Sequence, residues 1–434
     1  MTLFDRPLSR RRLLTGAAAA AGGGLLLGCS PGGGKSADDL SYWHLMSGGD
    51  GIVMAGLVDA VNGLGAGFQA TQTVLAWGPP YYTKLAMASA GGRAPDVAVM
   101  HASRIAGYAP GGLLEPWDTD LLAEFGIHER DFPPLVWQKG RYDGKLYSIA
   151  LDTHPFVLYY NTELAEKAGV TDALRSVRSP EAFTEVAAKL QRVTGKHGLS
   201  YGYLGDGSQM WRLFYTLYRQ QNAEMKLVPG RQAEVDEAAA VKALTFVRSL
   251  LDDTVASRSG DGGTATSEFL HGESGLFFGG VWELPVLKDA KLPFDAMPIP
   301  TLFGTEAAYA DSHTFVLPRQ SKVSPERRRH VYRMVAEILK RSAKWAEGGG
   351  HIPAYQPVIR SPEYQALKPQ SNYAGIPQYV NYDPDAWFGG AGSDFHRYFA
   401  ENVQNVYLGS GDPAAGFGGF VQRLNVLLDR PQPV

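Results

Sequence analysis

The chain has 434 residues, 41 Lys and Arg against 44 Asp and Glu, and 44 % hydrophobic content, which is the composition of a globular protein and excludes a disordered or fibrous one. With a formal charge of -3 and 20 % charged residues there is no basic stripe for a phosphate backbone, so nucleic acid is not an expected partner. A single Cys excludes a disulfide framework and a cysteine zinc site, and the length suggests two or three domains stabilised by packing.

Residues 1–28 read as an export signal rather than as fold. Arg10-Arg11-Arg12 follows Ser9 and leads into an apolar stretch from Leu13 to Leu27, too short for an ordinary spanning helix. Ser9-Arg10-Arg11-Arg12-Leu13-Leu14 resembles the twin-arginine motif, and Leu26-Leu27-Gly28-Cys29 resembles a lipobox, whose cysteine is acylated. Cys29 is therefore the expected lipidation site, residues 29–39 a flexible tether, and the lipid the only membrane anchor.

From Leu40 the pattern is α/β. Tyr42 to Leu45 reads as a strand, and Met54, Leu57, Val58 and Val61 fall at helical spacing. Thr73 to Ala76 reads as a second strand, Tyr82 to Ala90 as a second helix and Asp96 to Met100 as a third strand. Ligands of such open sheets sit beyond the carboxyl ends of the strands, here near residues 44–50, 77–82 and 101–104. Three Ser-Pro-Glu triplets, at Ser179, Ser324 and Ser361, predict helix starts, because they combine an N-cap, a first-turn Pro and an acid favoured by the helix dipole. No GxGxxG or GxxxxGK[ST] fingerprint supports nucleotide chemistry, and no cofactor is implied.

Several segments, taken in order, resemble the extracellular solute-binding protein family 1, the sugar-binding subunits of ABC importers. They are Ala90 to Val97, Arg104 to Leu114, Tyr142 to Tyr147, Leu158 to Asn161 and Gly279-Gly280-Val281-Trp282. The resemblance implies an α/β, two-lobed periplasmic-binding-protein-like fold of type II, with crossing strands near 150–153, 309–313 and 349–354. Lobe one would hold residues 40–150 and 312–348, and lobe two residues 151–311 and 349–434. It also implies a monomeric exported protein that closes on a carbohydrate and delivers it to permease subunits.

By the same resemblance, Trp282 matches a stacking Trp, and Ser103 with Arg104 a pair that bonds sugar hydroxyls. Ser103, Tyr82 and His154 stand where maltose binders carry acids, so maltodextrin itself is not the expected ligand. Asp152 and Asp50 are candidate hydroxyl acceptors, Asp50 alternatively a turn residue bonding its own backbone. Trp211, Glu283 and Trp387 are further candidates for the cleft, whereas Trp43, Trp117, Trp137 and Trp345 read as structural. His44, His101, His154, His313 and His351 lie beyond or among strand-like runs and invite a metal reading, but none falls in an HxH or HExxH spacing, so the expectation is no metal site. The rival class is an exported, lipid-anchored carbohydrate-active enzyme such as a glycosidase, although no GxSxG, HExxH or SxxK arrangement accompanies it.

Overall fold

A computed structural model describes residues 38–205 and 207–431. Cys29, the export signal and most of the tether lie outside the described residues. Among the described residues, no helix is long and apolar enough to cross a membrane.

Two mixed sheets organise the chain. The first runs in the order Gln69–Val74, Asp39–His44, Val97–His101, His313–Pro318 and Leu114–Glu115, with Ser148–Ala150 also paired to His313–Pro318. Its first three strands are parallel, and His313–Pro318 returns antiparallel. The second runs Val380–Asn381, Ala308–Asp311, Asp152–Asn161, Leu276–Gly280 and Leu199–Tyr201. Phe294–Pro298 and Ile352–Pro353 also pair with the long Asp152–Asn161 strand.

The chain passes between the sheets three times. Ser148–Ala150 leads into Asp152–Asn161, Ala308–Asp311 leads into His313–Pro318, and the helix Ser342–Gly349 leads into Ile352–Pro353. Each sheet packs against helices that bury apolar faces on it. Met54, Leu57, Val58 and Val61 of the helix Gly48–Asn62 pack with Val97, Phe315, Val335 and Leu339 in the first. Phe183, Val186 and Leu190 of Pro180–Thr194 pack with Phe156, Leu158, Phe214 and Phe399 in the second.

All three Ser-Pro-Glu triplets start helices. The hydroxyls of Ser179, Ser324 and Ser361 accept from the backbone N–H groups of Ala182, Arg327 and Tyr364 at 3.2 Å, which satisfies one orphan donor at each end. The second strand departs from its expected place, occupying Gln69–Val74 instead of residues 73–76. It is an edge strand burying only Ala70, so the apolar run Val74-Leu75-Ala76 that suggested it is not its core face.

The Asp96–Arg327 pair fastens the helix Pro325–Lys340 to the first sheet. Arg327 donates to both Asp96 oxygens, Nε at 2.6 Å and Nη2 at 2.7 Å, a bidentate fork. Burial alone would raise the Asp96 carboxyl, but hydrogen bonds from Arg327 and Ser41 outweigh it and hold the group below its ordinary range. A depressed folded value means that this stability is complete above the unfolded value of about 3.9 and is lost as the pH falls through the folded one. Thermal melts should accordingly show wild type losing its advantage over Asp96→Asn as the pH falls below the unfolded value of about 3.9, and a constant gap between the two proteins would refute the assignment.

Candidate functional site

Four histidines from four places in the chain meet where the sheets adjoin. His101 ends a parallel strand, and His313 lies directly across from it in the antiparallel partner. His154 stands opposite Asp311 near the start of the long crossing strand. His351 precedes Ile352, which pairs with Thr153. Ring centroids lie 4.9 Å apart for His101 and His313, 4.3 Å for His154 and His313, and 5.4 Å for His313 and His351. Tertiary crossing, with no local spacing, brings them together, which corrects the argument against convergence drawn from the missing HxH and HExxH spacings.

Asp152 underpins the group. Its Oδ1 accepts from the His313 backbone N–H at 2.9 Å and lies 3.0 Å from His154 Nδ1, while its Oδ2 lies 2.8 Å from His313 Nδ1 and accepts from Trp345 Nε1 at 2.6 Å. Burial alone would raise the Asp152 carboxyl, yet the charges on His313, His154 and His351 hold it well below the ordinary range. Burial lowers His154 and His101, and it drives His351 down to about 3. Against the same burial, Asp152 raises His313. The floor thus sets a carboxyl held low by the surrounding imidazoles against one imidazole raised by that carboxyl and three lowered by burial. Burial also pushes Asp50 up to about 7.

Above this floor lies a cavity of about 410 Å³, inside the range of small-ligand sites. His101, His154, His313, His351, Asp50 and Trp282 line it, together with Trp77, Gln209, Arg212, Pro285, Val286 and residues 45–49. Trp282 is half-buried, and the Arg212 guanidinium lies 4.7 Å over its ring. The indole folds back against the end of the preceding strand because residue 280 is glycine, where a Cβ would stand 2.1 Å from the ring. Gly280→Ala should displace the indole and weaken ligand binding on the order of tenfold, since overpacking of this kind costs roughly 1–3 kcal/mol. Titration calorimetry would check this, and unchanged affinity would contradict it.

The other expected site residues lie off this cavity. His44 is fully buried, its Nε2 3.0 Å from Gln72 Oε1 and its Nδ1 accepting from the Met46 N–H. Tyr82 sits behind the floor with its hydroxyl 2.6 Å from His101 Nδ1. The Ser103 hydroxyl binds Asp311 and accepts from the Ala391 N–H, so its hydrogen-bonding capacity is used within the fold. Arg104 stacks 4.4 Å over Tyr82 and donates to the Gly389 carbonyl, and with Trp387 it lines a separate groove. Asp152 lies beneath the histidines. Trp211 is in the second core, donating to Asp383 at 2.7 Å. Glu283 is partly buried beside Gly279.

Arg212 and Gln209 escaped the sequence reading. They share the helix Gly207–Arg219 with Trp211, but that helix is buried on nearly every side, so its apolar pattern does not mark a cleft-facing stripe. Trp345, read as structural, is a donor that steadies Asp152.

Residues 78–368 match the bacterial extracellular solute-binding protein family. The maltodextrin-binding protein MdxE of Bacillus subtilis (strain 168) is 27 % identical over 244 residues, 53 % of this chain and 54 % of that protein, so the match spans about half of each. UgpB from Mycobacterium tuberculosis, solved in complex with glycerophosphocholine, superposes with a TM-score of 0.75 at 20 % identity, covering 90 % of this chain and 98 % of its own. The GacH receptor of Streptomyces glaucescens GLA.O gives a TM-score of 0.74 at 19 % identity, with the same coverage of both chains. These structural likenesses establish the two-lobed binding-protein fold, and the family match extends over well more than half of the sequence. The chain belongs to the bacterial extracellular solute-binding proteins.

Proposed function

We propose that this protein is the extracytoplasmic substrate-binding component of an ABC importer, which captures a mono- or oligosaccharide, or a similar polyol, and delivers it to a membrane permease. The lobes are residues 40–150 with 312–348 and residues 151–311 with 349–434. The protein acts as a monomer, exported behind residues 1–28 and anchored through lipid on Cys29.

The composition of the cavity carries this reading. The Trp282 indole and the apolar Pro285 and Val286 line it together with the planar polar groups of Gln209 and Arg212, Asp50 and the imidazoles. A sugar ring presents C–H faces to the first set and vicinal hydroxyls to the second. Contacts from both sheets favour the closed arrangement of the lobes, so ligand shifts the population toward it. A structure named for an acarbose complex and a relative named for maltodextrin support the carbohydrate class. Binding without hydrolysis is the better account of the site. Glycoside cleavage takes a carboxyl group on each side of the bond, and among the described residues Asp50 is the one carboxylate that lines the cavity.

A thermal-shift panel of mono-, di- and oligosaccharides tests the proposal. A ligand present at about a hundred times its Kd adds about 2.7 kcal/mol to the native state and raises the melting temperature. A rise with at least one saccharide is expected. No rise with any saccharide would refute the carbohydrate class, and a rise with glycerophosphodiesters alone would reassign the ligand to polyol phosphates.

A further inference from the structure

We propose that the floor of the cleft binds a divalent transition-metal ion of the zinc class through the imidazoles of His154, His313 and His351, with Asp152 as the group that orients two of them. This goes beyond the carbohydrate reading and does not depend on it.

Atoms able to ligate a metal on Asp152, His154, His313 and His351 all lie within 4.8 Å of one another. Asp152 is already occupied by its four contacts from His154, His313 and Trp345, which makes it an orienting carboxylate. Its position beside Nδ1 of both His154 and His313 leaves Nε2 of each for the ion, the arrangement that carboxylates impose on metal-binding imidazoles. A tetrahedral ion about 2 Å from each nitrogen spaces ring centroids about 5 Å apart. The observed spacings are 4.3 Å, 5.4 Å and 5.9 Å.

His351 supplies an independent indication. It is fully buried, and neither ring nitrogen closes a hydrogen bond of good geometry. The Asp50 carboxylate stands 3.6 Å from its Nε2, and Asp50 Oδ1 is likewise buried without a partner. A Cβ at residue 349 would fall 2.5 Å from His351 Nδ1 and 2.6 Å from Asp50 Oδ1, so glycine there leaves room between two unsatisfied groups. Buried polar groups are rarely left in this condition. An ion held by three imidazoles and facing the cavity would keep a fourth position for Asp50, water or a ligand oxygen. Nitrogen-rich donors select zinc, cobalt(II), nickel or copper(II) over calcium or magnesium.

Cobalt(II) titration of the chelator-stripped protein tests this directly. One equivalent should bind at micromolar concentration, with visible bands of four-coordinate intensity that zinc abolishes. Affinity should fall at least a hundredfold in His351→Ala and in His154→Gln, and remain unchanged in His271→Ala, which alters an exposed histidine far along the chain. Circular dichroism of each variant separates lost ligation from lost folding, and the wild-type spectrum stands even if one variant fails to fold. Absence of stoichiometric binding, or binding indifferent to both cleft substitutions, would overturn the proposal. The saccharide panel on stripped protein reads the carbohydrate assignment separately, so either can fail alone.

Discussion

Trp282→Ala is expected to weaken saccharide binding by about 2–3 kcal/mol, roughly 30- to 150-fold, while leaving the fold intact. The indole is one of two Trp rings that line the cavity, and truncation removes both its stacking area and the seat of the Arg212 guanidinium. Calorimetry on wild type and variant measures the loss, and an affinity within twofold of wild type would show that the ligand does not stack there. Trp282 contributes partly buried surface to both neighbouring clusters, so a small fall in melting temperature is expected as well.

Asp152→Ala should cost about 3–5 kcal/mol of stability, the largest effect expected outside the hydrophobic cores. The carboxylate is fully buried, and its removal leaves the Trp345 indole N–H, the His313 backbone N–H and two imidazoles without their acceptor. It also removes the carboxyl that raises the buried His313 imidazole. The denaturant midpoint, measured without added metal, should drop markedly, with Asp152→Asn intermediate because the amide oxygen still accepts. A shift of less than about 1 kcal/mol in Asp152→Ala would mean that the network is not held in this form.

Local signals in the sequence carry much of the architecture. The capped Ser-Pro-Glu starts and the stripe Met54, Leu57, Val58 and Val61 appear in the structure as helix ends and a buried face, because capping and amphipathic spacing act within one or two turns. The site was legible only in part. Segments at the carboxyl ends of the strands do reach the cavity, through Asp50, Trp77 and His101. Convergence of His101, His154, His313 and His351 depends on register between strands distant in sequence, which no spacing rule encodes. Trp211 and Arg212 illustrate the same limit, since one helical step of about 100° separates a core position from a cleft position. Ser103 and Arg104 were identified by family position, and here the Ser103 hydroxyl is engaged by Asp311 and Arg104 Nη1 by the Gly389 carbonyl, away from the Trp282 cavity.

A crystal structure with the best saccharide of the panel bound tests the central claim most directly. The sugar is expected against the Trp282 indole, its hydroxyls reaching Gln209, Arg212 or Asp50, with both sheets contributing contacts. Density for the sugar in the groove lined by Tyr82, Arg104 and Trp387, with the Trp282 cavity empty, would contradict it.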